Sequence, residues 1–213
     1  MSVSGGSGRS TLRILLDLRH PYAFLALAPA EAFGELLRID IDWLPQRAPL
    51  LKPPEPAREG DDRAARHRRY RARATAREIE TYAAAQGLAL RDYYRQGDVE
   101  AAELSWLWVR ERCPERLPAY LQRLFRAYWA LELDASDPGE VAALVEESGA
   151  DGGPFRDWSA GAGTAALAEL RGELRELDLA TPAYVLDDEV FYGRQHLPMI
   201  RWILQGRSGP API

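Results

Sequence analysis

The chain of 213 residues has one cysteine, Cys113. A single thiol excludes an intrachain disulfide framework, a CxxC redox pair and a cysteine zinc site. No apolar run approaches the ~20 residues needed to span a bilayer. Residues 1–10 (MSVSGGSGRS) are polar and Gly/Ser-rich, with no apolar stretch behind them, and read as a flexible leader, not a signal peptide. The only histidines, His20, His67 and His196, are dispersed and lack a ligand spacing such as HExxH, so no metal is expected. Net positive charge is lacking too. At a formal −5 the chain as a whole should not attract nucleic acid. The expectation is a cytoplasmic protein with neither a nucleic-acid nor a membrane partner.

Apolar residues make up 46% and charged residues 28%, which fits an ordinary globular chain and excludes a disordered or fibrous one. The length predicts one large domain, or a small domain carrying an insertion. A compact chain of this size buries roughly 70% of its unfolded surface, enough for a core without staples.

Residues 11–18 (TLRILLDL) read as a buried strand. His20-Pro21 breaks it, and proline suits the first turn of the Ala- and Leu-rich helix expected over 22–33. Pro29 is expected to kink or divide that helix. Residues 38–44 (RIDIDWL) alternate as a second strand, and a helix-length crossover suggests that the two strands are parallel. Residues 45–57 carry five prolines and read as an irregular connection. Helices are expected over 63–86, with Gly87 as the stop, and over 100–111, 118–133 and 138–148, the last with Asp137 as N-cap and Pro138 at N1. The Gly-rich stretch 149–163 reads as loop, and 164–179 as an amphipathic helix with leucines three and four apart. Residues 183–186 and 189–192 read as a hairpin around Asp187-Asp188, followed by a helix over 197–204.

This order predicts an α/β, thioredoxin-like fold with a helical insertion domain. The core is assigned to 11–48 and 164–205, the insertion to 49–163, and flexible ends to 1–10 and 206–213. The assignment leans on Thr181-Pro182, because thioredoxin-like folds place a cis-proline just before this hairpin, beside the start of the first helix.

LDLRHPYAFLAL (16–27) resembles the signature Asp-Phe-x-Ser-Pro-Tyr-x-x-Leu. TPAYVLDDEVFYGRQHLPMI (181–200) resembles the matching C-terminal signature, Val-Pro-Thr-Phe-Val-Val-Asp-Gly-x-x-Phe-Trp-Gly-x-Asp-Arg-Leu. Both are similar to 2-hydroxychromene-2-carboxylate isomerases and kappa-class glutathione transferases, in the DsbA-like branch of the thioredoxin fold. Residues 80–90 and 125–149 resemble that family's insertion helices, and the likeness covers about 12–205. It implies isomerisation or group transfer on an aromatic or α,β-unsaturated carboxylate, with glutathione as cofactor, often in a homodimer. His20 stands where the family has its catalytic serine. Leu51 stands for an asparagine, and Arg194 and Gln195 for the pair that holds the γ-glutamyl end of glutathione. With a hydroxyl, an amide and a carboxylate replaced, glutathione binding is expected to be weak or absent.

In this fold His20 would sit at a helix N-terminus, whose dipole and free N–H groups favour negative charge. The imidazole should be neutral there and could serve as a general base; the other reading is a helix cap in a site that has lost its chemistry. Its pKa is expected below the usual 6.5, with Arg19 and Arg194 adding positive charge. If they face the pocket, Arg19 and Arg194 would favour an anionic ligand such as a carboxylate; otherwise they are solvated. Thr181 would offer its backbone beside Pro182 as an edge for an extended, peptide-like ligand. Tyr22 and Tyr192 read as pocket wall or core, and Gln195 as a lining residue. Cys113 reads as structural. Eight arginines in 58–77, a local net of +5, read as a solvated helix face or a basic rim for an acidic substrate or partner. Trp106 and Trp108 cannot share a helix face. One is expected in the core, the other at the pocket or a dimer contact. A catalytically degenerate binding or scaffold protein is the alternative function. A dithiol oxidoreductase is disfavoured, since disulfide exchange needs a resolving thiol.

Overall fold

The computed structural model describes residues 10–175 and 180–212. The sequence expectations for 1–9, and the end of the helix expected to reach 179, lie outside the described residues. Strand β1 (Thr11–Leu16) leads into α1 (Pro21–Leu37), which returns to β2 (Asp40–Pro45). Between β2 and β3 lie α2 (Arg63–Gln86), α3 (Glu100–Arg112), α4 (Leu117–Trp129), α5 (Pro138–Glu147), α6 (Gly152–Ser159) and α7 (Ala162–Leu174). Strands β3 (Ala183–Leu186) and β4 (Glu189–Tyr192) and helix α8 (Leu197–Leu204) close the chain. The four strands form one mixed sheet in the order β2-β1-β3-β4. β1 and β2 are parallel, with Thr11 opposite Asp40 and Leu16 opposite Pro45. β3 runs antiparallel to both β1 and β4. This is the thioredoxin-like arrangement expected from the sequence.

β1 is buried on both faces, which is why it reads as an unbroken apolar run. Leu12, Ile14 and Leu16 join the main core with Phe24, Trp106 and Phe125, while Leu15 joins Leu44, Ala183 and Val185 under α7. A third cluster, Leu25, Ile79 and Ala83, joins α2 to α1 and takes in Tyr22 and Leu51. Among the described residues, no helix is long and apolar enough to cross a membrane.

Three expectations are overturned, apart from shifts of up to four residues at the ends of α1 and α4. Pro29 does not divide its helix, and α1 runs continuously from Pro21 to Leu37. Proline lacks the N–H that would serve the Leu25 carbonyl four residues back. Gln86, at the end of α2, supplies it, with Nε2 donating to that oxygen at 3.1 Å. Gln86→Leu is therefore expected to cost about 1–3 kcal/mol, the price of a buried acceptor left unmet. In a urea-unfolding double-mutant cycle, Pro29→Ala should recover most of the loss by restoring the backbone donor. Two independent, additive effects would refute the coupling.

Second, the Gly-rich stretch after Gly149 is not all loop. Asp151 caps α6 by accepting from the N–H of Gly153, and composition hid that start signal. Third, both Trp106 and Trp108 are core. α3 is enclosed on every side, and the two indoles donate to the carbonyls of Trp43 and Asp151.

Candidate functional site

β1 ends at Leu16, and the chain turns through Asp17 to His20 before α1 begins. Asp17 is completely buried, and its carboxylate takes four hydrogen bonds. Oδ1 accepts from the backbone N–H of Arg19 at 2.9 Å and from its Nε at 3.0 Å. Oδ2 accepts from Arg19 Nη2 at 2.7 Å and from the N–H of Ala48 at 2.8 Å. The fork of Arg19 is thus committed to Asp17, and its side chain is 13% exposed. The hydrogen bonds it donates to Asp17 stabilise the guanidinium charge and raise its pKa further.

His20 is the N-cap of α1, with extended backbone, and Pro21 follows at N1. Its Nδ1 accepts from the N–H of Tyr22 at 3.3 Å. An amide can only donate, so Nδ1 is unprotonated and the proton of the neutral ring is on Nε2. Among the described residues Nε2 has no partner. Burial pushes the His20 pKa down to about 4, with Arg19 pushing the same way and Asp17 opposing. Asp17 is an opposing charge that the sequence did not reveal.

The second segment is fastened to the first at this turn. Thr181 Oγ1 accepts from the N–H of Asp17 at 3.0 Å. Gln46 Nε2 donates to the carbonyls of Leu15, at 3.3 Å, and Ala180, at 3.0 Å. The Thr181–Pro182 peptide is cis. The Pro182 carbonyl accepts from the N–H of Gly193 at 2.8 Å. Gly193 has φ of 85°, which a side chain would strain.

Between these segments and α2 lies a cavity of about 310 Å³, lined by Tyr22, Glu78, Ala180, Thr181, Pro182, Tyr192, Gly193, Arg194 and Gln195. Five of the expected ligand residues meet here: Tyr22, Thr181, Pro182, Arg194 and Gln195. Arg19 is drawn away to Asp17. His20 stands behind the wall, its ring stacked on Tyr22 at 5.6 Å between centroids. The guanidinium carbon of Arg194 lies over the ring of Tyr82, 3.5 Å from its centroid, and Arg194 has no carboxylate partner among the described residues. Gln195 turns its amide to the Tyr192 carbonyl at 2.8 Å.

Glu78 and Tyr82 were missed in the sequence. They sit four apart on α2, on one face, which is the one signal available before the fold is known. Burial, and then the hydrogen-bonded carboxylate of Glu78, push the Tyr22 phenol up to about 12, so it stays a proton donor. Leu51 packs in the Leu25–Ile79 cluster, and Cys113 is the C-cap of α3, remote in sequence from the α1 start. His67 is exposed on α2, and His196 packs beside Phe191 at 5.9 Å. Among the described residues no cluster of His, Cys, Asp and Glu could hold a metal ion.

Comparison with curated protein sequences finds no match. Solved structures match nearly end to end at low identity. A 2-hydroxychromene-2-carboxylate isomerase superposes with a TM-score of 0.67 at 17% identity, covering 92% of this chain and 95% of that one. A probable DsbA oxidoreductase from Streptomyces coelicolor gives 0.66 at 20%, covering 96% and 93%. The cytosolic disulfide reductase DsbM from Pseudomonas aeruginosa, solved with GSH, gives 0.58 at 17%, covering 92% and 94%. At such identities the likeness is one of fold. The model of the DsbA-like thioredoxin domain matches residues 30–205, starting just past His20. On that match, spanning most of the chain, the protein belongs to the DsbA-like thioredoxin-domain family.

Proposed function

We propose that this chain is a cytoplasmic enzyme of isomerase or transferase type acting on a small aromatic or unsaturated carboxylate. The observation that carries the reading is the guanidinium of Arg194 at the cavity wall, stacked on Tyr82 and without a carboxylate of its own. A substrate carboxylate would complete it with a charge-assisted pair. Tyr192 and Pro182 offer apolar surface to the remainder of the ligand, and the backbone of Thr181 offers an edge to a peptide-like one. His20 acts as a neutral donor. A substrate oxygen reaching past Tyr22 would meet its Nε2–H, which stabilises the negative charge developing there, while Nδ1 stays with the Tyr22 amide. Glu78, held by the Tyr22 phenol, is the carboxylate on this wall that can take a proton from substrate carbon.

The test is calorimetry with trans-cinnamate, cinnamamide and reduced glutathione. Cinnamate should bind at least tenfold more tightly than the amide, and Arg194→Gln should erase that difference. Glutathione should bind weakly, because Leu51, Arg194 and Gln195 replace the groups that would hold it. Two lost charged hydrogen bonds, about 1.5–3 kcal/mol each, correspond to a hundredfold or more in affinity. Equal binding of cinnamate and its amide would sink the carboxylate reading, and micromolar glutathione binding would overturn the second expectation.

A further inference from the structure

We propose that the solvent face of α2 is a docking surface for an acidic segment of another protein. From Arg63 to Arg77 the chain has seven arginines and no acidic residue, although it carries 32 Asp and Glu in all. The segment 58–77 has a net charge of +5 in a chain of −5. The acids are elsewhere, so their absence here is local.

Arg63, Arg66, Tyr70, Arg73 and Arg77 recur at spacings of three and four, which aligns them along one face for about 21 Å at the ~1.5 Å rise of a helix. All five are exposed, and Tyr70 is 79% exposed at the centre. The buried residues Ala65, Ile79 and Ala83 lie on the opposite side. Little neutralises the stripe. Asp61 pairs with Arg69, and Glu55 approaches Arg68 at 4.0 Å, both off the stripe. Arg66 reaches only the Asp61 backbone carbonyl, at 3.3 Å. Among the described residues Arg63, Arg73 and Arg77 have no carboxylate partner. Like charges three and four apart oppose helix formation, so the free protein bears a cost that an acidic ligand would remove.

The composition selects the class of partner. Arginine forks pair bidentately with carboxylates, and tyrosine ringed by arginine is the make-up of protein-interface hot spots. Single-stranded nucleic acid favours several aromatic platforms, and this face has one. An interfacial membrane helix needs a broad apolar face, and this stripe carries no Leu, Ile, Val, Phe or Trp.

The experiment is fluorescence anisotropy of the full chain with a labelled 21-residue helical peptide. It bears glutamates at the matching spacing of three and four, with a leucine opposite Tyr70. The controls are the all-glutamine peptide, poly(U) RNA and vesicles of phosphatidylserine and phosphatidylcholine. The acidic peptide should bind with a micromolar Kd at 50 mM salt, weakening as salt rises, and the glutamine peptide should not bind. Arg66→Glu with Arg73→Glu should weaken binding more than tenfold; Arg66→Gln with Arg73→Gln gives the same answer if the first pair perturbs the helix by circular dichroism. Tyr70→Ala should weaken it several-fold, a change that diffuse charge attraction would not show. Binding indifferent to Tyr70→Ala, or equally tight binding of poly(U) or vesicles, would overturn the proposal. These residues lie outside the cavity wall, so cinnamate binding should be unchanged in every variant.

Discussion

Replacing Asp17 by alanine is expected to cost the fold about 3–5 kcal/mol, the range for removing one partner of a buried charge pair. The carboxylate is wholly buried and is the acceptor for the Arg19 guanidinium, the Arg19 amide and the Ala48 amide. Alanine would leave the guanidinium nearly dry with no counter-charge, and two buried donors unmet. For a chain of this length, the melting temperature should fall by roughly 6–20 °C. Asp17→Asn, with one acceptor oxygen, should fall between wild type and alanine in urea unfolding. Asp17 also holds the His20 pKa up against burial. In the asparagine variant that pKa should therefore drop below its value of about 4, measured by NMR. An alanine variant within 1 kcal/mol of wild type would show that water, not Asp17, satisfies Arg19.

The prominence of Asp17 was hidden by its setting. In the sequence it looks like the tail of an apolar strand, TLRILLDL, and only the turn at Leu16 brings its oxygens to Ala48, thirty-one residues away. Arg19 was misplaced for the same reason. A charge next to a site residue suggests a ligand or solvent as its partner, when a carboxylate two residues back engages it. Local signals were legible: Asp137 and Gly87 act as the expected caps, and the Asp187-Asp188 turn pairs β3 with β4. What depended on contacts distant in sequence was not. Gln86 rescues Pro29 across 57 positions, and Glu78 enters the cavity and Tyr82 meets Arg194 only because α2 packs on α1. The cavity's C-terminal wall, by contrast, was readable, because Thr181, Pro182, Arg194 and Gln195 come from one short stretch around a hairpin.

His20→Asn is expected to lower turnover at least a hundredfold on any substrate found, with the fold nearly intact. Asparagine is a good N-cap, so its side-chain oxygen can accept from the Tyr22 amide as Nδ1 does. It cannot also present the imidazole Nε2–H, and loss of one oxyanion donor costs about 10²–10³ in rate. The pH dependence follows from a ring pKa lowered from 6.5 to about 4. Only the neutral ring keeps Nδ1 free to accept, so rate should rise through an ionisation near 4 and stay flat through neutrality. Stability carries the same sign. The unfolded chain takes up the His20 proton more readily than the folded one, so the native state loses about 3 kcal/mol as pH falls from 6.5 to 4. His20→Asn should remove that part of the acid destabilisation, visible as a flatter urea midpoint between pH 6.5 and 4. The tautomer is checked by nitrogen NMR, which should show the proton on Nε2. A proton on Nδ1, or a His20 pKa above 7, would overturn the donor assignment.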